Sequence, residues 1–115
     1  MSENIDILDL KTALKVVSGN QSLAEDLLAM FIKELPTYKK IIENKQKAED
    51  REELRQIIHK IHGGLRYLGA PALMAIISKT DAALFELSEL ELKKNIDKIF
   101  FEIDRVLKLE KYSSI

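Results

Sequence analysis

Cysteine and tryptophan are absent from this chain, proline and histidine occur twice each, and glycine four times. Without cysteine there is no disulfide, no thiol nucleophile and no thiolate zinc site. Glycine and proline are too sparse for the frequent turns of an all-β chain, and no stretch alternates apolar and polar residues cleanly, so strands are not expected. No apolar run approaches the roughly 18 residues of a membrane span, and the N-terminus lacks the pattern of a secretory signal. A cytoplasmic location is therefore expected. Charge of one sign is also missing: 18 basic and 19 acidic side chains leave a net −1, which gives no basis for a general attraction to nucleic acid or to an anionic membrane. No glycine-rich phosphate loop is present, so no nucleotide site of its own is expected.

What remains is helical patterning. With 46% apolar and 32% charged residues in 115, the chain is expected to fold as one domain, residues 1–115, around a single core. Leu10, Ala13, Leu14 and Val17 predict a short amphipathic helix, with Asp9 as N-cap and Gly19 as its stop. Ser22 to Glu25 reads as a capping box, with Asn20 as the alternative cap. A long helix follows to Lys47, its stripe formed by Leu28, Phe31, Leu35, Tyr38 and Ile42. The stripe keeps phase across Pro36, so a kink is expected there rather than a break. Lys45 to Asp50 is polar and predicts a turn. A third helix is predicted from Arg51 to Leu68, ended by Gly69, and Pro71 suits the first turn of a fourth. Leu73, Ile77, Thr80, Leu84 and Leu87 mark the inner face of that fourth helix. Ser88 and Glu91 form a second capping box before a last helix that reaches about Lys111. Short connections between long helices predict an all-α, up-down-up-down four-helix bundle with a short extra N-terminal helix.

The third helix is unusual. Leu54, Ile58, Ile61, Leu65 and Leu68 form its apolar seam. At about 100° per residue, His59 lies roughly 140° from the centre of that seam, Gly63 about 180°, Arg66 about 120° and His62 about 80°. His59 is thus expected to face water, with a glycine one turn later. Gly63 and Gly64 each cost about 1 kcal/mol against alanine inside a helix. Gly64, on the flank of the seam, is explained by close helix packing. Gly63 points outward, where packing does not explain it and access by another molecule does. From Arg51 to Arg66 there are four basic residues and two acids, so positive charge gathers near the histidines. Such neighbours hold an imidazole neutral and attract a phosphoryl group, and neutral imidazole is a good nucleophile. The chemistry suggested is covalent carriage of a phosphoryl group. His59 and His62 at i and i+3 could share a metal, but no third histidine or cysteine exists and Glu52 and Glu53 do not converge on them, so no metal site is expected.

His59-Lys60-Ile61-His62-Gly63, with Gly69-Ala70 and Leu73, resembles the signature of histidine-containing phosphotransfer (HPt) domains. The resemblance extends to Leu8–Gly19, to Leu23–Lys47 with its Leu35-Pro36, and to the Gly69-Ala70-Pro71 turn. In these it is similar to the C-terminal HPt domains of BarA/GacS-type hybrid sensor kinases. It covers about the first 90 residues well and the last helix by pattern only. His62 stands where most members have lysine, and the BarA-type subgroup shares that histidine. The resemblance implies that His59 is phosphorylated and that His62, Gly63 and Arg66 neighbour the phosphoryl group. Arg55, Gln56, Lys60, Gly63 and Tyr67 would rim the docking face. It implies a phosphorelay carrier that is not an autonomous enzyme, passing the group between aspartates of response-regulator receiver domains. The domain would hold no cofactor, Mg²⁺ belonging to the receivers. It would be a monomer without nucleic-acid or membrane contact, either free or the cytoplasmic end of an inner-membrane hybrid kinase. The alternative is a helical adaptor or docking domain without phosphotransfer.

Overall fold

The computed structural model describes residues 7–66 and 68–113, of which Leu10 and residues 110–113 are described by backbone alone. Within that range the chain is helical, with no strand. A short helix α1 (Leu10–Val16) precedes four longer ones: α2 (Gln21–Lys47), α3 (Arg51–Leu65), α4 (Pro71–Ala83) and α5 (Glu89–Ser113). Each long helix packs on its sequence neighbours, and α2 closes the ring against α5, while α1 packs on α2. This is the four-helix bundle with its extra N-terminal helix.

The caps show why the helices begin and end where they do. Asp9 caps α1, accepting from the Lys11 N–H at 3.1 Å and the Thr12 hydroxyl at 2.9 Å. Beyond α1 the chain turns through Gly19 at φ +81°, a left-handed conformation that costs glycine little. The start of α2 differs from one of the two sequence readings. Asn20 is the cap, its Oδ1 accepting from the Leu23 N–H at 3.0 Å. Ser22 lies inside the helix, and Glu25 accepts from the Gln21 amide instead. α2 then runs unbroken through Pro36, an exposed position where the missing N–H leaves the Ile32 carbonyl one helical partner short. At the start of α5 the predicted box forms reciprocally. The Ser88 N–H donates to Glu91 Oε1 at 3.0 Å, and the Glu91 N–H donates to Ser88 Oγ at 3.1 Å. These bonds hold the Glu91 carboxyl below the usual glutamate range.

α3 ends at Leu65, three residues before the predicted Leu68. Its last turn tightens, with the Arg66 N–H donating to Gly63 O at 3.3 Å and the Leu68 N–H to Leu65 O at 3.1 Å. Gly69 does not stop the helix by a left-handed turn. It is needed because the segment entering α1 crosses it: the Asp9 N–H donates to Gly69 O, and a Cβ at Gly69 would collide with the Asp9 carbonyl. Pro71 stands at the first position of α4, as expected.

The core is one apolar cluster in which Leu35, Ile58, Ile61, Ile77, Ile96 and Ile103 are fully enclosed. The seam of α3 faces it, and this turns the opposite face of α3 outward.

Candidate functional site

The face that α3 turns away from the core carries His59, whose side chain is 59% exposed. Its ring leans across to α4. His59 Nδ1–H donates to Asp81 Oδ2 at 2.9 Å, and His62, one turn later and 17% exposed, donates from its own Nδ1 to the same oxygen at 2.8 Å. The two rings stand edge to face, 6.3 Å apart. Burial works to raise the pKa of Asp81. The N–H bonds from His62 and then His59, together with the charge these rings carry when protonated, outweigh it, and the carboxyl is held below its ordinary value. An ionised carboxylate only accepts, so each histidine must place a proton on Nδ1. In a neutral ring the lone pair is then on Nε2, the nitrogen that Asp81 does not engage.

Asp81 was not among the residues singled out in the sequence. A signal was present: it is the single acid in the thirteen residues of α4, on a helix otherwise rich in apolar side chains. Its meaning depends on the packing of α4 against α3, which spacing within one helix does not reveal.

The two glycines separate as their phases predicted. A Cβ at Gly63 would meet nothing within 4 Å, whereas one at Gly64 would stand 3.3 Å from Cε1 of Phe31 on α2. Arg66 is the exposed C-cap residue of α3, Gln56 and Lys60 are exposed, and Arg55 is half-buried. By helical phase Arg55, Gln56, Gly63 and Arg66 share the side of α3 that carries His59, and Lys60 is turned about 100° away. Lys60 reaches over the Tyr38 ring, its Nζ 5.8 Å from the centroid. Tyr67 lies outside the described residues.

The positive charge expected to surround the histidines is arranged differently. Arg51 is a structural tie: its Nη1 donates to the carbonyls of Leu84 at 2.7 Å and Leu87 at 2.6 Å, and its Nη2 pairs with Glu89 at 3.1 Å. It lies about 12 Å along the helix from His59. The charge in contact with both rings is the carboxylate of Asp81. The His59 ring is thus set by an acceptor that selects its tautomer, and the charged group in contact with it is a carboxylate rather than one of the nearby basic residues.

Comparison with known proteins assigns the chain to a family. The Hpt domain family model matches residues 26–105. The chain is 31% identical over 80 residues to the sensor histidine kinase GacS of Pseudomonas protegens, covering 70% of this chain and 9% of that protein. It is 30% identical over 108 residues to the signal transduction histidine-protein kinase BarA of Escherichia coli, covering 87% of this chain and 12% of that one. It therefore spans about a tenth of the length of these relatives. A crystal structure of the HPT domain from a sensor hybrid histidine kinase of Shewanella superposes with a TM-score of 0.86 at 23% identity, over 95% of this chain and 94% of that one. The chain belongs to the Hpt domain family. Family and relatives together support a phosphotransfer role. Among the described residues no helix is long and apolar enough to cross a membrane.

Proposed function

We propose that His59 carries a phosphoryl group between the aspartates of two receiver domains. The observation that supports this most directly is the bond from His59 Nδ1–H to Asp81, which frees Nε2 as the nucleophile. In the first transfer the Nε2 lone pair attacks the phosphorus of an aspartyl phosphate. The P–O bond breaks, its electrons leave with the donor carboxylate, and a P–N bond forms. The ring now holds phosphorus on Nε2 and a proton on Nδ1, so it is cationic, and the Asp81 carboxylate beside it offsets that charge. In the second transfer an acceptor carboxylate attacks the same phosphorus and the imidazole leaves with its lone pair restored. His62 donates to the same Asp81 oxygen and so positions it. Gly63 keeps the approach open; Arg55, Gln56, Lys60 and Tyr67 are assigned with it to the docking rim, and Arg66 to the neighbourhood of the phosphoryl group. Mg²⁺ and the groups that stabilise the transferring phosphoryl oxygens come from the receivers, so the domain needs no ATP site and no cofactor. It works as a monomer in the cytoplasm.

The test is incubation with a receiver carrying labelled aspartyl phosphate. Wild type should acquire acid-labile, alkali-stable label. His59→Gln should acquire none while keeping its helicity and melting temperature, because the position is exposed. Label on the variant at the wild-type level would overturn the assignment.

A further inference from the structure

His59, His62 and Asp81 are also a set of metal-ligand types, and the structure brings them together as no spacing in the sequence does. One ligand atom from each lies within 4.8 Å of the other two. Two of the three sit at i and i+3 on α3, and the third comes from the facing helix α4. Both histidines aim the same nitrogen, Nδ1, at the same oxygen, Asp81 Oδ2, at 2.9 and 2.8 Å. The geometry points to a three-ligand, open-sided site for a borderline transition-metal ion such as Zn²⁺, built by Nδ1 of His59, Nδ1 of His62 and a carboxylate oxygen of Asp81.

A tetrahedral ion with bonds of about 2.0–2.1 Å spaces its ligand atoms about 3.4 Å apart. The present N···O distances of 2.9 and 2.8 Å need to widen by roughly half an ångström, and the two Nδ1 atoms, within 4.8 Å of one another, need to adopt the same spacing, both by side-chain rotation. Imidazole and carboxylate donors suit Zn²⁺ and Co²⁺. They do not suit Mg²⁺, which takes an octahedron of oxygens. His62 and Asp81, 17% and 11% exposed, form the inner wall, and the exposed His59 leaves the fourth position to solvent.

Binding has a chemical consequence. To ligate through Nδ1, each neutral ring moves its proton, through solvent, from Nδ1 to Nε2. Asp81 is already a carboxylate, so no net proton is released. Nε2 of His59 then bears hydrogen and has no lone pair to offer phosphorus. Metal occupancy and phosphorylation of His59 exclude one another. This consequence rests on the carrier reading above, whereas the binding itself does not.

The binding test uses the full chain titrated with Co²⁺, followed by its visible absorption, and with Zn²⁺ by calorimetry. Expected are one ion per chain, a tetrahedral Co²⁺ spectrum and no heat with Mg²⁺. His59→Gln, at an exposed position, His62→Gln and Asp81→Asn should each weaken binding by about tenfold or more with helical circular dichroism unchanged. In wild type, one equivalent of Zn²⁺ should also protect His59 from diethyl pyrocarbonate, and Asp81→Asn should abolish that protection. Absent binding, or binding equally tight in all three variants, overturns the site. Failure of the carrier reading shows separately, as no phosphoryl uptake by metal-free protein.

Discussion

Gly63 and Gly64 are adjacent and chemically identical, yet the helix has a different use for each. Gly63 faces open space, so a side chain there meets nothing in the folded domain. Gly63→Ala should raise stability by up to about 1 kcal/mol, and Gly63→Gln should melt no lower than wild type. In the proposed function Gly63→Gln should transfer phosphoryl groups more slowly, since its side chain stands where a receiver must approach. A wild-type transfer rate in a stable Gly63→Gln protein would remove the access argument. Gly64 lies against Phe31, which is 8% exposed. Gly64→Val should lower stability by about 1–3 kcal/mol through overpacking, a loss readable as an earlier denaturant midpoint. This division was legible in the sequence, because the phase of an amphipathic helix tells inward from outward. Asp81 was not legible in the same way: its partners are on another helix, and the phase of α4 alone marks it as a boundary residue.

Tyr38 shows a further residue-scale effect. Its phenol is buried and donates to the Glu34 carboxylate, and burial first, then that bond and the neighbouring charge, push its pKa from 10.0 to about 12. The neutral phenol is the form the fold favours. Its contribution to stability is therefore complete below pH 10 and disappears as pH rises through about 12. An alkaline absorbance titration should show a phenol component titrating at about 12, and Tyr38→Phe should remove that component. If the component at about 12 is unchanged in amplitude by the substitution, the assignment to Tyr38 fails.

At the scale of whole elements, sequence motifs succeeded where both partners lie within one turn. The Ser88–Glu91 box is local, and it forms as written. At the start of α2 two local solutions competed. Asn20 took the cap in an extended conformation, and Ser22 was carried into the first turn. Arg51 was counted as part of a charged neighbourhood because its range across the fold is invisible in one dimension. In three, it satisfies two carbonyls in the connection between α4 and α5, a place where helix ends leave acceptors unpaired. Arg51→Ala should cost about 1–3 kcal/mol and should loosen the α4–α5 connection, seen as faster amide exchange there. An unchanged melting temperature would show that water replaces the guanidinium fully. In the proposed function, the phosphoryl uptake of this variant should follow its folded fraction, because Arg51 is remote from His59.

Across the whole molecule, the all-α bundle was readable because each long helix carries a seam that only a common core can absorb. The shortened end of α3 was not. Gly69 looked like a helix stop, and its requirement comes from a strand of chain some 60 residues earlier that passes over it at Asp9. Gly69→Ala should separate that crossing. The expected result is a lower melting temperature with α1 and its lead more open to proteolysis, while α2 to α5 stay folded. An unaltered cleavage pattern would show that the crossing tolerates a Cβ.

The clamp that holds His59 has a final consequence. Asp81 fixes one ring pose from a helix anchored in the core, and nothing in that clamp distinguishes an incoming partner from an outgoing one. In the proposed function, microscopic reversibility makes the same site serve transfer in both directions. In that role, the net flow of phosphoryl groups through the domain is set by the relative energies of the two aspartyl phosphates and by how much of each partner is present, so the proposed carrier would charge a regulator under one condition and drain it under another.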